Sequence, residues 1–265
     1  QALDVVLDEF RSVHPNWTVT ALAIPYEVMA SKLTTTIPRG NGPDLFIFAH
    51  ERIGGWVKSG LLASLDEHID EAERALFLPQ TIPPLQFEDT LYGLPLAFKS
   101  TALFRNTKLV PQAPSSSDEL LDIARRFSKE DRFGLAYQSD SFYFHAPWFF
   151  GHGGELFTTE AAINYTGQPF VQSLAFISRL QDEQLVPAAA TGALISSLFN
   201  SGKAAMVLSG PWFTGEIDES VDFAVSPLPT LSETGLPASP FLTDEAVFIS
   251  SFARDASSAL SLARH

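Results

Sequence analysis

The chain contains no cysteine among its 265 residues. That removes a thiol nucleophile, a disulfide framework and a cysteine-based zinc site. It leaves the compartment open, since a protein can occupy an oxidising space simply by avoiding thiols. Basic residues are scarce: 17 against 31 acidic ones, a net charge of −14. Such a surface argues against nucleic acid, which wants basic patches to replace counterions. It argues equally against an anionic membrane surface, and it suits a soluble protein. No apolar stretch approaches the ~20 residues a bilayer span needs. No signal peptide is visible at Gln1, so a mature form or an excised segment is expected. There is no Gly-x-Ser-x-Gly elbow, no His-Glu-x-x-His and no phosphate loop. His145 and His152 are read as lying on different helix faces, so neither a metal site nor a cofactor is expected.

What is present is globular: 45% hydrophobic and 18% charged residues, enough for one large core or two smaller ones. Leu3, Val6, Leu7, Phe10 and Val13 form one face of a helix over 2–13 that is expected to lie on a sheet. Residues 17–24 alternate like a strand, and 26–37 read as a second amphipathic helix. Leu45–Ala49 is a continuous apolar run, the mark of a strand covered on both faces. A short helix over 54–60 follows, ending in a glycine cap. Further strands are expected over 101–106, 133–137, 204–208, 223–227 and 246–250. Helices are expected over 120–127, 169–184 and 194–200, and one begins at 256. In the long helix Val171, Leu174, Ile177 and Leu180 are expected to face inward. Helices and strands alternating in this rhythm indicate an α/β fold with a largely parallel sheet. In such sheets ligands bind beyond the carboxyl ends of strands, which is where His50, Glu51 and Arg52 stand. Pro/Gly-rich stretches near 92–96 and 227–240 are the expected lobe junctions.

Several stretches resemble one family when taken together. GPDLFIFAHERIGGWVKSGLL, starting at Gly42, resembles a segment of maltose/maltodextrin-binding proteins, the periplasmic solute-binding components of ABC importers. Tyr92-Gly93-Leu94-Pro95 is similar to the family's entry to its first hinge. Leu198 to Met206, Ser209-Gly210-Pro211-Trp212 and Val225 to Pro229 resemble later family motifs in order and spacing. The resemblance implies a two-lobed periplasmic-binding-protein fold that closes on a sugar. Each lobe would be a mostly parallel sheet flanked by helices, with residues 1–97 plus 242–265 in one and 98–241 in the other. It implies no catalysis, an oligosaccharide ligand of the maltose/maltodextrin type, and the membrane subunits of an ABC importer as partners. The place of work would be the periplasm or the cell exterior, with a tether to the inner membrane as one version. The family's first strand, with its Asp-Lys pair, and its C-terminal third have no counterpart here. A domain fused to a transporter's membrane subunit and a truncated relative are the two expectations that follow.

A sugar offers hydroxyls at its rim and C–H patches on its faces. A site therefore needs charged or amide partners for the one and aromatic rings for the other. By the resemblance, Glu51 and Arg52 are the strand-end charged pair, with His50 and Phe48 beside the sugar. A surface salt bridge and a buried structural histidine are the plainer alternatives. Tyr143 and Phe144 match a stacking aromatic pair, and Trp212 the principal stacking tryptophan, with core packing as the alternative for each ring. Trp148, Phe149 and Phe150 read as core. Two family acids are replaced by Lys99 and Ser141, with Asp140 an adjacent substitute. The rival readings are a glycosidase using Glu51 and Asp140, and a docking domain that has lost its ligand.

Overall fold

In the computed structural model, residues 2–159 and 162–265 are described; Gln1, with which the first expected lobe opens, lies outside them. The chain begins with α1 (Ala2–Val13), α2 (Tyr26–Thr36), β1 (Leu45–Ala49), α3 (Ile53–Lys58) and α4 (Glu71–Arg74). Next come β2 (Gln86–Phe87), β3 (Thr90–Leu91), β4 (Gly93–Lys99), β5 (Ala102–Asn106), α5 (Ser117–Phe127) and β6 (Phe133–Ala136). Then follow α6 (Phe142–Gly151), α7 (Gln168–Asp182), α8 (Gly192–Asn200), β7 (Ala204–Ser209), β8 (Phe223–Ser226), β9 (Thr243–Ile249) and α9 (Ala256–Arg264). The elements fall into two compact units, Gln1–Phe98 with Thr243–His265, and Lys99–Leu242.

The first unit is built on a sheet of order β1-β9-β4. β1 pairs with β9 antiparallel, from Leu45 opposite Ile249 to Ala49 opposite Glu245. Phe46, Phe48, Trp56 and Phe248 pack together in its core, mostly edge-on or tilted, with ring centroids 5.2–6.0 Å apart. α3 stops where Gly60 takes φ +65°, a left-handed conformation in which a side chain is strained. Leu61 N–H then closes onto Trp56 O at 2.9 Å. Asp255 caps α9 by accepting from Ser257 and Ser258 N–H. At the far end Arg264 forks onto Glu73, with both bonds at 2.7 Å, and ties α9 to α4.

The second unit carries a sheet of order β6-β7-β5-β8. α5 starts on a reciprocal cap: Ser116 Oγ accepts from Glu119 N–H at 3.2 Å, and the Glu119 carboxylate takes Ser115 N–H at 2.7 Å. Gly134 in β6 lets α5 sit down on the sheet, because a Cβ there would run into the Ala124 backbone. Arg125 forks onto Glu183 at 2.6 and 3.0 Å, joining α5 to the end of α7 and holding the Glu183 carboxyl down at about 2. The Pro/Gly-rich stretch 227–240 packs within this unit, where Thr230 bridges to Ser116 and Pro237.

The α/β architecture stands, while several local expectations are corrected. The sheets are not mostly parallel: β1 pairs antiparallel with β9, β5 pairs antiparallel with β7 and with β8, and β6–β7 is parallel. The apolar run Leu45–Ala49 stands at the edge of its sheet, with Phe46, Phe48 and Ala49 buried and Leu45 and Ile47 partly so, because apolar composition reports burial and not strand direction. Residues 17–24 form no strand, since their alternation meets no neighbouring ladder. On α1 only Leu7 and Phe10 are buried, while Leu3, Val6 and Val13 are exposed. On α7 the inward stripe is Ser173, Phe176, Ile177 and Leu180, and Val171 and Leu174 face out. Phe176 sets that rotation by packing on Trp148 at 4.9 Å. His145 and His152 do share a face: seven residues are nearly two full turns, and both side chains turn toward α7. Trp148 and Phe149 lie in the core as expected.

Candidate ligand-binding site

In the first unit, β1 runs out into a single 3₁₀ turn, His50–Arg52. The strand is apolar and its last residues are buried, so the turn is where polar side chains can first emerge. His50 Nδ1 accepts the Asp244 backbone N–H at 3.0 Å, which leaves the neutral ring's proton on Nε2. That bond locks the end of β1 to the start of β9. The Asp244 side chain is 1% exposed, and neither carboxylate oxygen has a hydrogen-bond partner among the described residues. Burial pushes its pKa up, against a smaller downward pull from His50. Glu51 is exposed and accepts the Tyr26 hydroxyl at 3.0 Å. Tyr26 itself lies flat on Phe48, with ring centroids 4.6 Å apart and an interplanar angle of 1°. Arg52 is exposed at the end of the turn. Phe48 is buried, so it supports the site from behind and does not face it.

In the second unit the rings gather at the start of α6 and after β7. Pro211–Glu216 is a 3₁₀ turn that carries Trp212, which remains 41% exposed. The indole folds back over Gly210, where a Cβ would collide with it. Tyr143 lies 6.3 Å from Trp212 and 6.2 Å from Phe241, near-parallel to the latter. The Tyr143 ring is half-buried, and its hydroxyl has no hydrogen-bond partner among the described residues. Phe144 points inward at 9% exposure, edge-on to Tyr143 and Trp212, and backs both. It therefore departs from the expectation of an exposed stacking pair. The reason is the helix itself: adjacent residues on α6 point about 100° apart, so one of the two must face the core. Asp140 is exposed in the turn before α6, and Ser141 stands at the N-cap without a side-chain capping bond. Lys99 Nζ lies 5.4 Å from the Trp212 ring centroid, within range of a cation–π contact.

Each unit thus brings together a different half of what a saccharide requires. The first offers carboxylate, guanidinium and imidazole groups, and the second a half-exposed indole on a bed of rings. Glu51 and Asp140, the pair a glycosidase would need, belong to different units. Sequence patterning missed Tyr26, Asp244 and Phe241. Asp244 stands between Thr243 and Glu245, ahead of the apolar run of β9, so neither it nor Tyr26 nor Phe241 had a signal in the patterning.

Residues 6–265 match a family described as bacterial extracellular solute-binding protein. A maltotriose-binding protein of Pyrococcus abyssi is 29% identical over 211 residues, covering 78% of this chain and 46% of that protein. A galactooligosaccharide-binding protein of Bacillus subtilis is 29% identical over 255 residues, covering 90% of this chain and 59% of that protein. The chain therefore spans about half the length of the curated relatives it matches, 46% and 59% for these two. A solved maltose/maltodextrin-binding domain from Bdellovibrio bacteriovorus, bound to maltotriose, is similar with a TM-score of 0.90 at 24% identity. That likeness covers 99% of this chain and 72% of the other, and at such identity it bears on the fold.

Proposed function

This chain belongs to the bacterial extracellular solute-binding protein family, and we propose that it binds a maltooligosaccharide for an ABC importer without transforming it. The observation that carries the reading is Trp212. A large indole left 41% exposed, bedded on Tyr143 and Phe144, costs solvation unless a ligand covers it. A pyranose ring presents the matching C–H face. The half-buried Tyr143 ring adds apolar surface beside the indole. Glu51, Arg52 and His50 supply the charged and polar partners for a sugar's rim. Asp140 stands by as a further acceptor, and Phe144 acts through the rings it supports.

The names of the relatives support a binding role and divide on the sugar, one reading maltotriose and the other a galactooligosaccharide. We place this chain with the maltodextrins. It works in the periplasm or at the cell exterior, free or as a domain of a longer polypeptide, and hands its sugar to the importer's membrane subunits. Among the described residues no helix is long and apolar enough to cross a membrane.

The test is calorimetric titration of maltose, maltotriose and a galactooligosaccharide into the 265-residue chain, with tryptophan fluorescence followed alongside. Saturable binding of the maltodextrins is expected. Trp212→Ala should weaken it by about 30-fold, the ~2 kcal/mol typical of a buried aromatic anchor. Absence of heat and of any fluorescence change at millimolar sugar would overturn the proposal.

A further inference from the structure

The second unit holds a groove that no expected site uses. It runs along one side of α5, with residues 109–114 as its other wall, and its volume is about 460 Å³. That size falls among pockets that hold small organic ligands. Its apolar surface comes from Leu109, Ile123 and Phe127, each half-buried and packed against the core of the unit. On α5 the lining residues Glu119, Asp122, Ile123, Arg126 and Phe127 recur at three- and four-residue steps, so they form one ridge of the helix. From Glu119 to Arg126 that ridge is about 10 Å long. The facing wall is pinned at both ends. Arg105 of β5 donates to Val110 O at 2.9 Å and to Pro111 O at 2.6 Å. At the other end Ser115 donates its N–H and its hydroxyl to Glu119 Oε2, at 2.7 and 2.9 Å.

The rim carries three charged side chains, and two of them already have partners. Glu119 takes the two bonds from Ser115, and Asp122 accepts from Arg125 at 3.0 Å. Arg126 is exposed, and no described hydrogen bond or ion pair ends on it. A guanidinium offers a carboxylate two parallel donors in one plane. The net charge of −14 opposes an anion at long range, but at physiological salt charges beyond ~8 Å are largely screened, so the guanidinium at the rim decides.

We infer that this groove binds a small apolar monocarboxylate. Its chain lies on Leu109, Ile123 and Phe127, and its carboxylate is held by the fork of Arg126. The length of the ridge suits a chain of about eight carbons. The site lies within the second unit and is independent of the saccharide reading.

The experiment is calorimetric titration of octanoate into the 265-residue chain, with octan-1-ol and octylammonium as comparison ligands. It is run on wild type and Arg126→Gln, with the unfolding midpoint of each as control. Octanoate should bind saturably at one site, more tightly than octanol, and octylammonium more weakly than either. Arg126→Gln should weaken octanoate about three- to fivefold, the scale of an exposed ion pair, and leave octanol unchanged. Saturating maltotriose should not displace octanoate. No saturable heat with millimolar octanoate would overturn the site. So would an unchanged Kd in a folded Arg126→Gln, octylammonium binding as tightly as octanoate, or displacement by maltotriose. If Arg126→Gln does not fold, the order of the three ligands on wild type decides alone.

Discussion

Acidification should destabilise this protein through one buried histidine. His145 sits inside α6, 4% exposed, between the rings of Phe142 and Phe170. Its Nε2 is 3.0 Å from Ser173 Oγ. The single proton of that hydroxyl goes to Phe170 O at 2.9 Å, so Nε2–H is the donor and Ser173 the acceptor. A second proton would have to go on Nδ1, where no described hydrogen bond ends. Burial, with a smaller contribution from the nearby His152, pushes the pKa down from 6.5 to about 4. The sign follows from linkage. Above pH 6.5 the ring is neutral folded and unfolded, and the full stability is present. Between pH 6.5 and about 4 the unfolded chain takes a proton that the folded chain refuses, so stability falls with falling pH. The whole shift corresponds to about 3 kcal/mol. The assay is urea denaturation from pH 7.5 to pH 4 for wild type and His145→Gln. The variant loses stability at neutral pH through packing, and this offset is constant with pH. The expected signature is that the gap closes by up to about 3 kcal/mol on acidification. Parallel curves across the range would refute the reasoning, as would an imidazole seen by NMR to titrate near 6.5.

Two further outcomes follow from close contacts. Gly210→Ala places a methyl where the Trp212 indole lies, so the ring must swing away. Tryptophan emission should shift and maltodextrin affinity fall toward that of Trp212→Ala, and unchanged emission with unchanged Kd would contradict the packing. Asp244→Asn removes a buried carboxylate whose pKa is raised, so at pH 7 the variant should be more stable by about 1–2 kcal/mol. The gain should vanish as pH falls through the ordinary carboxylate range, because the wild-type group is then protonated folded and unfolded alike; an equal or lower melting temperature at pH 7 would count against it.

Local chemistry made much of this molecule legible before any coordinates. The helix over 2–13, the strand Leu45–Ala49 with its polar exit, the glycine stop at Gly60 and the turn at Gly202 all depend on residues a few positions apart. The same holds for Trp212, which Gly210 and Pro211 mark as lying outside regular structure. Spacing and composition within such short windows decide helix, strand and turn, so they are written in the chain. Three things were not. Strand direction depends on which strand comes to lie alongside, and β9, about 200 residues after β1, runs against it. The inward face of α7 depends on Phe176 finding Trp148 on another helix. The polar wiring of the candidate site joins Asp244 to His50 and Tyr26 to Glu51, across 194 and 25 residues. Periodicity carries no trace of such pairs, because folding chooses them from many equivalent donors and acceptors. The residue types needed for a saccharide were therefore readable in the chain, while tertiary packing alone decided which of them are exposed, which are buried, and which hold the others in place.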